Sequence, residues 1–203
     1  MLADRIEGIL LAAGESRRMG FPKPLLTIAG ETFIARLSRS MLEVVSRLVI
    51  VLGAHADRIR PAVPNDARIA VVVNQSWQSG QLSSLKTGLR AINQKSKAVL
   101  VHLIDHPTVT AETFRKLADV YCSGEHKIVI ARSGARRGHP VIFAREVFAE
   151  LNAAPEDQGA RVVVNADPSR VVYVDVDDPG VTLDLDTPED LDRAGVPRPS
   201  GTH

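Results

Sequence analysis

The chain is poor in several things, and each shortage removes a class of function. It carries one cysteine, Cys122, in 203 residues. That excludes a disulfide framework and a zinc site built from several thiolates. Cys122 lies in an apolar helical pattern and reads as core filling. Neither sign of charge is in excess, with 25 Lys and Arg against 24 Asp and Glu and a net charge of +1. No global field draws the chain to nucleic acid or to an anionic membrane, so any phosphate binding must be local. Long apolar runs are missing too, and nothing approaches the roughly 18 residues of a spanning helix. The run Ile9–Ala13 behind Arg5 is too short for a signal-peptide core and has Glu7 at its edge. The expectation is a soluble cytoplasmic protein with no nucleic-acid or membrane partner.

What is present is 44% hydrophobic residues, enough for one sizeable core. Continuous β-branched runs predict strands at Ile6–Ala13, Leu48–Leu52, Ile69–Val73, Ala98–Ile104 and Lys127–Ala131. Runs of this kind suit strands buried on both faces. Amphipathic helices are predicted between them at Thr32–Val45, Gln81–Ile92 and Ala111–Tyr121. The alternation predicts an α/β fold with a mostly parallel sheet between two helical layers. In such sheets ligands bind at the edge where strands end. The last third is less regular, with strands expected at Gly138–Phe143 and Arg170–Val176 and short helices at Arg145–Asn152 and Pro188–Ala194. It reads as an antiparallel extension of the sheet. No linker or repeat interrupts the chain, so residues 1–195 form one expected domain, and 196–203 an expected disordered tail.

The strongest local signal follows the first strand, Leu11-Ala12-Ala13-Gly14-Glu15-Ser16-Arg17-Arg18-Met19-Gly20-Phe21-Pro22-Lys23. Small residues let a backbone approach a ligand, glycines supply unusual dihedrals, and loop N–H groups can cradle phosphate. Two arginines and a lysine add charge where a polyphosphate would lie. A plain strand-to-helix turn with solvated basic residues is the bland alternative. Neither a Walker A loop nor G-x-G-x-x-G is present, which removes the main support for ATPase and dehydrogenase readings.

Three further constellations follow. Asn74-Gln75-Ser76-Trp77 leads into Gly80-Gln81-Leu82-Ser83-Ser84, whose serines suit either a helix cap or a ligand contact. Trp77 reads as a partly buried anchor. Asp105-His106-Pro107 ends a strand, where a carboxylate could hold Mg²⁺, a cation that prefers oxygen ligands. Thr110 is the nearer cap for the helix that follows, and His106 reads as a neighbour rather than a general base. In Asp184-Leu185-Asp186-Thr187-Pro188-Glu189-Asp190, residues two apart on an extended segment face the same way, so Asp184 and Asp186 could share one metal environment. Capping of the next helix by Asp186 stays open.

In order and content these motifs resemble the MobA-like nucleotidyltransferase family. The resemblance covers nearly the whole chain and implies a three-layer α/β/α, Rossmann-like fold of the nucleotide-diphospho-sugar transferase type. It implies that Arg18 and Lys23 bind the triphosphate and act in catalysis with Asp105. The backbone of Leu11, Ala12, Ala13 and Gly14 would lie beside the nucleotide, with Asn74, Gly80, Ser83 and Ser84 in the base- and ribose-binding segment. Asp105 and Asp186 would complete a Mg²⁺ site, Asp184 being the less certain partner. Arg136-Arg137-Gly138-His139-Pro140-Val141 and Asp157-Gln158-Gly159-Ala160-Arg161 resemble the branch that contains molybdenum cofactor cytidylyltransferases. For that branch His139, Pro140, Gly159 and Arg161 would meet a molybdopterin-type acceptor, and the client would be a xanthine, aldehyde or CO dehydrogenase type of molybdoenzyme. Ala13 stands where guanylyltransferase relatives tend to have glycine, which favours CTP over a purine; one methyl group discriminates by only about 1–3 kcal/mol. The rivals are another nucleotidyltransferase, using GTP or a sugar phosphate, and a non-catalytic carrier of a nucleotide-containing cofactor.

Overall fold

The first strand dictates the layering, because its successive side chains alternate between two apolar faces. A computed structural model describes residues 6–198. Along β1 (Ile6–Ala12), Ile6, Leu10 and Ala12 enter one core, and Ile9 and Leu11 enter the other. The first core is covered by α1 (Phe33–Leu42), the short α2 (Ala56–Ile59), α4 (Ala111–Ser123) and α7 (Pro188–Arg193). The second lies under α3 (Gln81–Ala91), α5 (Phe148–Ala153) and α6 (Arg161–Ala166). Phe33, Ile34, Leu37 and Met41 line the inner face of α1 at helical spacing and are fully buried. Each such side chain contributes roughly 1.5–3 kcal/mol. Cys122 packs half-buried against the first core.

The sheet has seven strands in the order β5-β4-β1-β6-β8-β7-β9. The remaining ranges are β4 (Leu48–Leu52), β5 (Ile69–Val73), β6 (Ala98–Leu103), β7 (Ile128–Ser133), β8 (Arg136–Ala144) and β9 (Val171–Asp175). β5, β4, β1 and β6 are parallel, and β7 is parallel to β9. β8 alone is reversed, antiparallel to both β6 and β7. The fold is therefore the expected three-layer α/β arrangement, with one reversed strand rather than a wholly antiparallel extension. Reversal matters for the site: β8 begins, with Arg136 to His139, at the edge where β1 and β6 end.

The expected core strands recur within a residue or two. β5 is a correction, since as an edge strand it is half-buried along its length. The hairpin β2 (Thr27–Ile28) and β3 (Glu31–Thr32) and the four-residue α2 are too short to leave a periodic signal. The expected tail is corrected at its start. Val196 is buried and its N–H donates to the Leu191 carbonyl at 2.8 Å, while Arg198 donates to Asp192 at 3.0 Å. Residues 199–203, like Arg5, lie outside the described residues.

One close approach fixes the start of β8. A Cβ on Gly138 would lie 1.9 Å from the carbonyl oxygen of Val181, so the strand can cross the Pro179–Thr182 turn only without a side chain there. Asp178 holds that turn from beneath. Its buried carboxylate accepts from the N–H of Gly180 and Thr110 and from the hydroxyls of Thr110 and Thr113. Gly138→Ala should destabilise the protein by about 1–3 kcal/mol, the usual cost of forcing atoms into a filled space. Urea unfolding measures this, and an unchanged midpoint would show that β8 and the turn separate freely.

Candidate functional site

The loop after β1 is shaped by two residues in the left-handed region, Ser16 (φ 59°) and Gly20 (φ 69°). Sequence reasoning looked to the glycines for this, but Gly14 is not one of the positive-φ residues; a Cβ there would meet open space. Ser16 accepts the Lys23 N–H on its Oγ at 3.1 Å, and its carbonyl accepts from Gly20 at 3.1 Å. The loop thereby folds back and leaves Lys23 only 8% exposed. From the other side, Ala54 donates its N–H to the Ala13 carbonyl at 3.0 Å. Ala13 and Trp77 both crowd Gly53.

This loop borders a cavity of about 490 Å³ that holds most of the expected nucleotide-side residues. Leu11, Ala13, Gly14, Arg18, Lys23, Gly80, Ser84, Asp105 and Asp186 all line it. Three expected residues, Ala12, Asn74 and Ser83, do not. The Ala12 side chain points into the opposite core, which leaves the expectation for its backbone as it stands. Asn74 is buried and donates through Nδ2 to Ser83 Oγ at 2.8 Å and Ser84 Oγ at 3.0 Å, while its Oδ1 accepts from the Ser76 N–H. Ser83 donates its hydroxyl toward the Ser76 and Gly80 carbonyls. Asn74 and Ser83 therefore brace the 74–80 turn, and neither serine caps α3, whose first turn has no side-chain cap.

A backbone contact joins the segment that carries Asp186 to Asp105. Leu185, fully buried, donates its N–H to the Asp105 carbonyl at 2.8 Å. Asp186 then accepts from Arg18 Nη2 at 2.5 Å and from Lys23 Nζ. Burial pulls the Asp186 carboxyl upward, but Lys23 and Arg18 outweigh it and hold it below the usual carboxylate range. Helix capping is left to Thr187, which forms a capping box with Asp190. Asp105 differs, since its Oδ1 is buried with no hydrogen-bond partner. Asp184 does not share the Asp186 environment, which corrects the argument from alternation. Its Oδ1 lies 3.2 Å from His106 Nε2, and it lines a second cavity.

The second cavity, of about 450 Å³, abuts the first and shares Leu11, Gln81 and Leu103 with it. Its floor is apolar, including Leu85, Val101, Ile130 and Phe143, and Arg136, Arg137 and Arg161 stand around it. Of the residues expected to meet the acceptor, His139, Gly159 and Arg161 line it, whereas Pro140 is buried and does not. Asp157 does not cap α6, whose N-cap is Ala160. Lys86 anchors the neighbouring loop by donating to the Ala154 carbonyl at 2.8 Å. Sequence reasoning missed Gln81. Its signal was available, as the first residue of a helix opening at the strand-end edge.

At the second cavity three histidines cluster with ring centroids 5.8–6.4 Å apart, His106 and His139 in its lining and His102 buried behind them. His106 donates through Nδ1 to the Gly180 carbonyl at 3.1 Å, and fully buried His102 donates through Nε2 to the His106 carbonyl at 3.1 Å. Burial, reinforced by neighbouring histidines, pushes His102 well below its ordinary range. His139 is pushed down to about 4 by burial and by His106. Both rings are then neutral when folded and protonate more readily when unfolded. Between roughly pH 6.5 and 4 the unfolded chain binds more protons, so stability falls as pH falls through that window. The melting temperature should drop between pH 7 and 5, and replacing His102 and His139 by Gln should flatten that slope. An identical slope in the double variant would remove the histidines as its cause.

Comparison with known proteins places the fold in a family. The MobA-like NTP transferase domain matches residues 8–171. The chain is 33% identical over 196 residues to nicotine blue oxidoreductase of Paenarthrobacter nicotinovorans, covering 93% of this chain and 95% of that protein. It is 26% identical over 186 residues to the molybdenum cofactor cytidylyltransferase of Escherichia coli K12, covering 92% and 93%. Rv0371c from Mycobacterium tuberculosis H37Rv superposes with a TM-score of 0.79 at 31% identity over 95% of this chain and 98% of that one. A structure of Rv0371c in complex with manganese superposes with a TM-score of 0.74 at 29% identity over 93% and 97%. With the family domain matched over most of its length and the nucleotidyltransferase-type enzyme fold in place, the chain belongs to the MobA-like NTP transferase family.

Proposed function

We propose that the protein transfers CMP from CTP to the terminal phosphate of a molybdopterin-type acceptor, forming a cytosine dinucleotide cofactor and releasing pyrophosphate. The observation that carries this reading is the pair of abutting cavities. One is lined by the charged loop and the other has an apolar floor ringed by Arg136, Arg137 and Arg161. A flat pterin suits the floor, and its phosphate suits the arginines. The shared wall at Leu11, Gln81 and Leu103 is where the two substrates would meet. The E. coli cytidylyltransferase, similar over nearly its whole length, supports the choice of acceptor. The product would pass to a molybdoenzyme client of the xanthine, aldehyde or CO dehydrogenase type.

In this reading an acceptor phosphate oxygen attacks the α-phosphorus in line. The bond to the bridging oxygen breaks, and its electrons leave with pyrophosphate. Arg18 and Lys23 hold the leaving group, and Gln81 orients the transferring phosphoryl group with its amide. Such catalysis is positioning plus charge stabilisation. The residues present fit a Mg²⁺ ion: Asp105 offers a buried oxygen with no partner, and Asp186 a second carboxylate on the same cavity. When bound, the ion would neutralise charge on the triphosphate. The manganese bound by Rv0371c belongs to the same oxygen-seeking class of cations. The base choice rests on Ala13, whose methyl occupies the cavity wall beside Gly53 and Trp77.

A second reading is favoured by the similarity to nicotine blue oxidoreductase. The apolar cavity would then hold the substrate of an oxidation or reduction. One panel separates the readings: CTP, GTP and ATP with molybdopterin, followed by pyrophosphate release, beside oxidation of a reduced nicotinamide with aromatic acceptors. CTP-dependent release is expected. Nicotinamide oxidation without pyrophosphate would replace the first reading with the second.

The cavities also divide the kinetics. Arg161→Ala should raise the KM for the acceptor and leave that for CTP near its original value. Lys23→Ala should do the reverse. Asp105→Asn should lower kcat about a hundredfold, near 3 kcal/mol, with thermal melts as the folding control. Equal effects of Arg161→Ala on both KM values would merge the two sites into one.

A further inference from the structure

The nucleotide cavity is lined by three cations, Arg17, Arg18 and Lys23, and by three carboxylates, Glu15, Asp105 and Asp186. All three cations are paired. Arg17 bonds Glu15 at 2.6 Å, while Arg18 and Lys23 both bond Asp186, one on each oxygen. A triphosphate reaching Arg18 and Lys23 therefore competes with a carboxylate already bound to them. It also meets the carboxylate of Asp105, whose Oδ1 is buried with no hydrogen-bond partner and lies 3.8 Å from His106 Nε2.

We infer that Asp186 is a latch: it holds Arg18 and Lys23 until a divalent cation draws its carboxylate away, so that metal binding releases the two side chains that grip the triphosphate. This rests on the nucleotidyltransferase reading of the cavity but not on the choice of base or acceptor. The exchange conserves pairing at every point. The carboxylate passes from two cations to the metal, and those cations pass to phosphate oxygens. Metal and triphosphate then strengthen each other's binding by one common factor, as linkage requires.

The latch sits on a firm base. Asp186 is positioned by the buried Leu185 before it and by the capping box after it; its own N–H donates to Asp190 Oδ2 at 3.1 Å. Lys23 is fixed by the bond of its N–H to Ser16. Arg18 is the exposed partner, with 71% of its side chain open to solvent, so nothing packed around it opposes a change of partner. Only the side-chain pairs need to change, and the backbone on both sides stays put.

The test is calorimetric binding of inorganic tripolyphosphate, and separately of CTP, to the full chain in EDTA and in Mg²⁺. In the original protein Mg²⁺ should tighten tripolyphosphate binding about tenfold or more. Asp186→Asn should bind tripolyphosphate in EDTA about fivefold tighter than the original protein, and most of its gain from Mg²⁺ should vanish. Asp105→Asn removes the same charge from the same cavity but releases no cation, so its gain in EDTA should be clearly smaller. Equal gains would reduce the effect to bulk repulsion and overturn the latch. Weaker binding by Asp186→Asn in EDTA would also overturn it, making Asp186 a scaffold that orients Arg18 and Lys23. Lys23→Met supplies an arm that needs no change at Asp186: with a competitor removed, Mg²⁺ alone should bind more tightly, and unchanged Mg²⁺ affinity counts against the latch. Tripolyphosphate behaving as described with no preference for CTP over GTP would uphold the latch while removing the cytidylyl reading.

Discussion

The hydrogen bond from Leu185 N–H to the carbonyl of Asp105 organises both cavities. It joins the end of β6 to a segment close to the C-terminus, far away in sequence. Because Leu185 is fully buried, the residues on either side of it cannot both sink with it. Asp186 turns to the charged loop after β1, and Asp184 turns to His106 and the apolar cavity. One buried leucine thus sends two carboxylates to two sites. Its anchoring also explains why the capping duty falls to Thr187, which frees Asp186 for the cations.

Electrostatic balance is the second constraint. A cavity meant for a polyanion is easiest to picture as a bare cluster of cations, yet such a cluster repels itself and would hold Lys23 charged at 8% exposure without a partner. Unpaired buried charge is costly. Pairing with Asp186 removes that cost and pulls the Asp186 carboxyl down against its own burial. On the latch proposed above, the same pairing would favour a polyanion that arrives with a cation, because either alone must break a pair without restoring both halves of it.

Much of this was legible in the residues. The parallel core was, because β1, β4 and β6 are continuous apolar runs that only a doubly covered sheet can bury. Arg18, Lys23, Asp105 and Asp186 were legible as chemistry-bearing residues at strand ends, and they do share one cavity. What the pattern could not carry was direction. Alternation predicted a common environment for Asp184 and Asp186, but the segment is not a strand, and Leu185 splits them. Asn74 and Ser83 lie in a binding segment by position, yet their hydrogen-bonding capacity is spent on the turn itself. The antiparallel run of β8 was legible in the less regular last third, but not its place between β6 and β7, since a two-residue turn around Gly134 looks the same whichever further strand it returns beside.

The reversal has a consequence for how the second cavity could arise. Parallel strands bring only their C-terminal ends to the ligand-binding edge, which supplies one loop each. β8 brings its N-terminal half instead, so a run of strand residues, Arg136 to Val141, passes beside the end of β6. Of this run only Val141 is in register with β6, while Val141, Arg137 and Arg136 pair with β7 across a bulge. His139 lies at that bulge, its Nδ1 3.5 Å from the carbonyl of Val101 and its ring beside His106. Gly138, forced to lack a side chain by Val181, lets the strand lie low enough for Asp184 and His106 to reach the same space. The first cavity, by contrast, is bordered by a folded-back loop whose Arg18 side chain is exposed. In the proposed transfer the loop would exchange its ion-pair partners while the strand beside the second cavity keeps its place.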